Sequence, residues 1–182
     1  LGYHSYLTIN DMGATHNCHT AIIVLLDGAQ WLVDVGIPLH VPLRLNPATV
    51  SQRHGPWMHY TLIPESDDCF QVRREPHPKP YIFTLRNRPV DDADYRRAMI
   101  ADYGSGGFFL DQVIITRVVG QHVWRFSSAD QPLRLEQFVD GQRIDHVLGN
   151  NAASRLAEHF AIDADMLKEA LDIKRTLVPK TT

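Results

Sequence analysis

The chain has 182 residues, 44% of them hydrophobic and 21% charged, with a formal charge of −3. That composition describes an ordinary globular protein with one core or two small ones, not a disordered chain, and the lack of any Lys/Arg cluster argues against a nucleic-acid partner. The apolar runs, such as Ala21 to Leu26, are far too short to cross a bilayer, and with no secretory leader and only Cys18 and Cys69 the chain reads as cytoplasmic, with both thiols reduced.

Leu1 stands where a methionine would, and Tyr3-His4-Ser5-Tyr6-Leu7-Thr8-Ile9 reads as a strand already under way. The expectation is a portion of a longer protein, arising by a cut, by proteolysis or by natural truncation. Up to about Arg88, short strands alternate with Gly, Pro, Asn and Asp, the pattern of a small antiparallel barrel or sandwich. Its clearest part is a hairpin: Thr20 to Leu26 and Trp31 to Val35 are apolar and β-branched, with the tight-turn dipeptide Asp27-Gly28 between them. Apolar residues on both faces of these strands predict cover on both sides. Further strands are expected at Trp57 to Ile63, Phe70 to Arg74 and Tyr81 to Leu85, joined by proline-rich loops.

Beyond Val90 the acids Asp91, Asp92 and Asp94 open a helix that Gly104 stops. Strand pairs follow, Phe108 to Val119 with His122 to Ser127 around Gly120-Gln121, and Leu133 to Val139 with Arg143 to Val147 around Asp140-Gly141. Helices at Asn151 to Phe160 and Asp163 to Lys174 close the chain, the second with Asp163 as N-cap. The organisation expected is residues 1–89, a connecting helix over 90–104, and an α/β part over 105–182.

Parity puts His19 and Asp34 on one face. With a two-residue loop, Leu26 pairs with Ala29, so His19 falls opposite Gly36 and Asp34 is its diagonal neighbour at about 7–8 Å, within side-chain reach. A carboxylate there would fix the imidazole tautomer and leave the other ring nitrogen as a general base. On residue types alone such a pair is as readily a buried structural couple. Cys18, next to His19 on the strand, points to the opposite side unless the strand bulges. Cys69 sits in the acidic turn Ser66-Asp67-Asp68-Cys69-Phe70, which raises a thiol pKa. His16-Asn17-Cys18-His19 does not make a metal site, because alternation turns His16 and Cys18 away from His19 and no second cluster follows. Gly104-Ser105-Gly106-Gly107 reads as a hinge, since it does not open a helix after a strand.

His19-Thr20-Ala21-Ile22-Ile23-Val24 followed by Trp31-Leu32-Val33-Asp34-Val35-Gly36 resembles the arylamine N-acetyltransferase family, in which a histidine starts an aliphatic strand and the next strand supplies an aspartate. Asp91 to Ala98, Ala101 to Phe109, Val113 to Arg117 and Leu156 to Ile162 are similar to later family segments, in the right order. The resemblance implies an α+β, cysteine-proteinase-like acyltransferase fold: an antiparallel β-barrel and an α/β lid, here without the family's N-terminal helical bundle. It implies acetyl transfer from acetyl-coenzyme A through a cysteine to an aromatic amine or hydrazine, with no metal. His19 would then be the base, Asp34 its orienting partner, and Ile37, Phe108 and Phe109 walls of the acceptor pocket. The family's Arg-Gly-Gly-x-Cys does not occur in this sequence, so the nucleophile is expected on a missing N-terminal segment and this chain alone is expected to be inactive. Ile37-Pro38 replaces the family's usual Phe-Gly, which leaves room for an amide synthase of the polyketide type. A non-catalytic remnant that keeps the dyad for stability is the third reading.

Overall fold

Strand β1 (His4–Met12) runs antiparallel to β2 (Thr15–Leu26), which turns back into β3 (Ala29–Val33). The turn residues Asp27 and Gly28 have φ of 51° and 72°, the left-handed pair that suits the twist of a two-residue hairpin. Leu26 faces Ala29 and the register runs on to Ile22 opposite Val33, as turn chemistry and parity predict. The computed structural model describes residues 3–34, 36, 39–77, 79–104, 110 and 112–177, the last four by backbone alone. Among these residues no helix is long and apolar enough to cross a membrane.

The chain divides into two compact units, one up to Asp102 and one from Tyr103 onward. In the first, β1 to β3 continue into β4 (Leu43–Arg44), β5 (Ser51–His54), β6 (His59–Pro64), β7 (Cys69–Glu75) and β8 (Tyr81–Arg86). They form one antiparallel sheet in the order β4-β3-β2-β1-β8-β7-β6-β5, and its edge strands β4 and β5 touch, so the sheet is a nearly closed barrel. The interior holds Ile23, Leu32, Leu43, Tyr60, Leu62, Phe70, Val72, Phe83 and Leu85, all 1% exposed or less. The expected cover on both faces of the β2–β3 hairpin is only partial. Ile22, Val24, Trp31 and Val33 are half-buried, and Leu25 and Leu26 at the tip are exposed. Apolarity reports β propensity as well as burial, and on a barrel only the inner face is sealed.

One seam of the barrel is thin. β1 and β8 share a single backbone bridge, Asp11 opposite Thr84, and side chains supply the rest. The amide oxygen of Asn10 accepts from the Arg86 N–H at 2.9 Å, Tyr6 donates to Asn87 at 2.6 Å, and Gln30 bonds both Tyr6 and Asn87, at 3.0 and 2.9 Å. After β8, helix α1 (Asp92–Tyr103) starts where the Asp91 carboxylate accepts the Asp94 N–H. Among the described residues α1 buries none of its side chains, and Ile100 is 74% exposed.

The second unit is a four-stranded antiparallel sheet of β9 (Ile114–Val119), β10 (His122–Ser127), β11 (Arg134–Val139) and β12 (Gln142–Val147), followed by α2 (Ala152–Phe160) and α3 (Ala164–Leu177). Phe126 and Leu135 from the sheet pack with Leu156, Ala157 and Phe160 of α2 and Leu167 of α3. Each such buried side chain contributes about 1.5–3 kcal/mol. Asp163 caps α3 by accepting the Met166 N–H at 2.8 Å. Ala161 ends α2 with φ of 51°, its N–H on the Ala157 and Glu158 carbonyls. A left-handed residue with a Cβ costs roughly 1–2 kcal/mol where glycine costs little. Ala161→Gly is therefore expected to stabilise the protein by about 1 kcal/mol in a urea melt. A drop in stability would show that the Cβ packs usefully.

Candidate active site

Four buried polar side chains stand together inside the barrel: Thr8 and Asn10 on β1, His19 on β2, and Asp34 just past β3. Asn10 lies directly opposite His19 in the strand register. Its side-chain amide donates to Thr8 at 3.0 Å, and Thr8 in turn donates to the Ala21 carbonyl. Such a chain leaves no interior polar atom of Asn10 or Thr8 to be satisfied by water.

His19 Nε2 lies 2.5 Å from Asp34 Oδ2, with the two residues 6% and 2% exposed. The diagonal contact expected from parity is therefore made. The carboxylate's other oxygen, Oδ1, accepts the Gly36 N–H at 2.9 Å, so the backbone just beyond the aspartate sets its plane. A Cβ at Gly36 would sit 3.7 Å from His19 Cε1 and 3.6 Å from Asp34 Oδ1, which places this residue against the edge of the pair. Phe83 of β8 packs on the imidazole, ring centroids 4.5 Å apart and planes at 49°. Nδ1 of His19 has no hydrogen-bond partner among the described residues. A ring held at Nε2 and along its face, with Nδ1 unpaired, is oriented as a base would need to be.

The strand bulges just before this histidine. Asn10 pairs with His19 and Met12 with Thr15, so His16, Asn17 and Cys18 together oppose Asp11, and Asn17 takes φ of 56°. Asp11 ties the bulge down. Its carboxylate accepts the Asn17 N–H at 2.8 Å, lies 3.3 Å from His16 Nδ1 and pairs with the Arg86 guanidinium. Cys18, the last residue of the bulge, is 1% exposed. Its thiol does not meet the imidazole: Sγ donates to the Thr15 carbonyl at 3.4 Å. Burial first, then the nearby charges of Asp102 and Asp11, push that thiol up from its ordinary pKa. Cys69 is likewise pushed up, by burial and by Glu65, whose carboxylate its Sγ contacts at 3.5 Å.

Burial raises the Asp11 carboxyl, but the Asn17 N–H and the positive groups of His16 and Arg86 outweigh it and hold the group below its usual value. A carboxyl whose pKa is lower folded than unfolded stabilises above the unfolded value, near 3.9, and loses that contribution as pH falls through the folded value. The stability gap between the parent and Asp11→Asn is expected to be constant near neutrality and to close below about pH 4. A gap unchanged at pH 3 would rule the ion pairing out.

Ile37, Phe108 and Phe109, expected to wall an acceptor pocket, lie outside the described residues. Among the described residues no three His, Cys, Asp or Glu groups converge to hold a metal ion. Phe83 was not legible as a site residue, because β8 joins β1 across more than seventy positions and no local pattern announces that pairing; Thr8 and Asn10 lie in a strand whose register against β2 the sequence did not fix.

The model of the N-acetyltransferase family matches residues 4–167. Solved structures with the same fold include the arylamine N-acetyltransferase of Salmonella typhimurium, at 12% identity and a TM-score of 0.72, over 94% of this chain and 69% of that one. The Mycobacterium marinum arylamine N-acetyltransferase in complex with CoA gives 18% and 0.74, over 95% and 70%. The Mycobacterium abscessus enzyme gives 21% and 0.71, over 94% and 66%. The chain spans about two thirds of the length of these structures. No curated protein matches the sequence.

Proposed function

This chain belongs to the arylamine N-acetyltransferase family, and we propose that it carries the histidine and aspartate of a Cys-His-Asp triad that moves acetyl from acetyl-coenzyme A to an aromatic amine or hydrazine. The observation that carries this reading is the buried pair of His19 Nε2 and Asp34 Oδ2 at 2.5 Å, with Nδ1 unpaired among the described residues. In the proposed cycle Nδ1 takes the proton of a cysteine thiol, the thiolate attacks the thioester carbonyl, and coenzyme A leaves with a proton. The amine then attacks the acetyl-cysteine, the same nitrogen accepts its proton, and the C–S bond breaks to return the cysteine as the thiolate.

The cysteine we propose is neither Cys18 nor Cys69. Both thiols are raised in pKa by burial and neighbouring acids, whereas a nucleophilic thiol is lowered by a nearby cation. The reading therefore needs a cysteine from polypeptide outside this sequence. The CoA complex of the Mycobacterium marinum relative supports acetyl-coenzyme A as donor, and Ile37, Phe108 and Phe109 remain the proposed acceptor walls. Two outcomes follow. The 182-residue chain alone, given acetyl-coenzyme A and an arylamine, is expected to give no histidine-dependent product; such product would overturn the choice of thiol. The coding DNA ahead of Leu1 is expected to read in frame through Arg-Gly-Gly-x-Cys, and a stop codon directly ahead would favour the non-catalytic remnant. Ile37-Pro38 in place of Phe-Gly favours the amide synthase as the second reading, to be preferred if the complete protein fails to use acetyl-coenzyme A.

A further inference from the structure

A second set of ligating groups lies on the outer surface of the barrel. The β5–β6 hairpin closes with the Gly55 N–H on the Met58 carbonyl at 2.8 Å, and its first strand pair is His54 opposite His59. Gly55 is crowded, since a Cβ there would meet the Met58 carbonyl oxygen at 3.0 Å and the Tyr60 ring at 3.4 Å. The turn is thus tight, and it fixes the two histidines side by side. His59 alternates with the fully buried Tyr60, so its ring faces outward, and His54 is exposed beside it.

The two rings point the same nitrogen at each other: Nδ1 to Nδ1 is 2.7 Å, centroids are 4.4 Å apart, and the planes meet at 68°. One ring must donate and the other accept, so a single proton sits between two lone pairs. The row continues, because Glu75 of β7 lies opposite His59. Glu75 is exposed and its carboxylate makes no hydrogen bond or ion pair among the described residues.

We propose that His54 and His59 form a two-imidazole site for a divalent transition metal ion, with water filling the remaining positions and Glu75, which does not converge on the pair as it stands, turning in as an oxygen ligand. Metal–imidazole bonds of about 2.0–2.1 Å place two nitrogens about 2.9 Å apart at a right angle and about 3.4 Å apart in a tetrahedron. The rings need to part by only a few tenths of an ångström from where they stand, and solvent-exposed rings can do so. The donor ring shifts its Nδ1 proton to Nε2, where the accepting ring already carries its own, so between two neutral rings no net proton is released. Nitrogen ligands select Ni²⁺, Cu²⁺ or Zn²⁺ over Mg²⁺ and Ca²⁺, which want oxygen. Because directly opposed strand residues share a face, side-chain rotation is enough to bring Glu75 in.

The test uses the untagged chain. Zn²⁺ titrated calorimetrically is expected to bind at one ion per chain, Mg²⁺ is expected not to, and the protein is expected to be retained on immobilised Ni²⁺. His54→Gln and His59→Gln should each weaken Zn²⁺ by at least about tenfold, as losing a ligand costs no less than losing its supporting partner. Glu75→Gln should weaken it less. Should either histidine variant fold poorly, imidazole ¹⁵N shifts in the unmodified protein answer instead: Nδ1 of both His54 and His59 must move on adding Zn²⁺. No Zn²⁺ binding, binding unchanged in both histidine variants, or shifts confined to other histidines would each overturn the proposal.

Discussion

From the triad proposed for the complete protein, Asp34→Asn is expected to lower kcat/KM for arylamine acetylation by about 10²–10⁴-fold while leaving the fold intact. Among the described residues the carboxylate meets the ring N–H at Nε2 and the Gly36 amide, one on each oxygen. Asparagine offers only one acceptor. The Gly36 amide cannot change its hydrogen, so the carbonyl turns to it and the NH₂ faces the imidazole. Nε2 then has to accept, the ring proton moves to Nδ1, and the nitrogen that should take the thiol proton already holds one. His19→Gln should fall at least as far, since it removes the base itself. The tautomer of His19, read by ¹⁵N NMR in both proteins, separates this cause from general damage. An Asp34→Asn enzyme with near-parental turnover would sink the proposed role.

Glu136→Ala is expected to destabilise the second unit by about 2–4 kcal/mol. Glu136 is fully buried on β11, with Oε2 at 2.5 Å from Arg125 Nη1 and Oε1 at 3.0 Å from Arg143 Nη2. The first contact is a hydrogen bond; the second falls outside hydrogen-bonding geometry and is electrostatic. Removing the acid leaves two guanidinium groups facing one another across the vacated site, each with one remaining acid, Asp130 for Arg125 and Asp145 for Arg143. Their side chains are 12% and 22% exposed, so water screens part of that repulsion and the loss belongs below the full cost of an uncompensated interior charge. Adding Arg125→Met to Glu136→Ala should restore much of the stability in a denaturant melt. A double variant no more stable than the single one would show that the loss comes from packing alone.

What the sequence made legible follows from how local each signal is. Asp27-Gly28 and Asp140-Gly141 name their own turns, and both adopt left-handed pairs; from the first, arithmetic alone carries His19 to Asp34. β4 and β5 gave no such warning. Leu43–Arg44 is two residues between prolines, and Ser51–His54 has no apolar alternation, so their pairing is dictated by neighbouring strands. The bulge at Asn17 was equally hidden, since it depends on Asp11 and on Arg86 from β8. Cys18 is the instructive case: alternation alone does not foresee that its thiol turns back onto the Thr15 carbonyl within the bulge. The Arg125–Glu136–Arg143 cluster was missed because charged residues in strands ordinarily signal an exposed face.

The thin seam between β1 and β8 has a consequence for how the barrel wears. β2 is knit to β1 and β3, and β7 to β6 and β8, by runs of main-chain pairs, whereas here a single bridge is helped by a phenol, three carboxamides and one salt link. Thermal loosening will start along that line, and its amide protons will trade with solvent ahead of those on β2 and β3. Because Asn10 sits on that stave directly across from the imidazole, loosening there reaches the wall behind the ring proposed as the base.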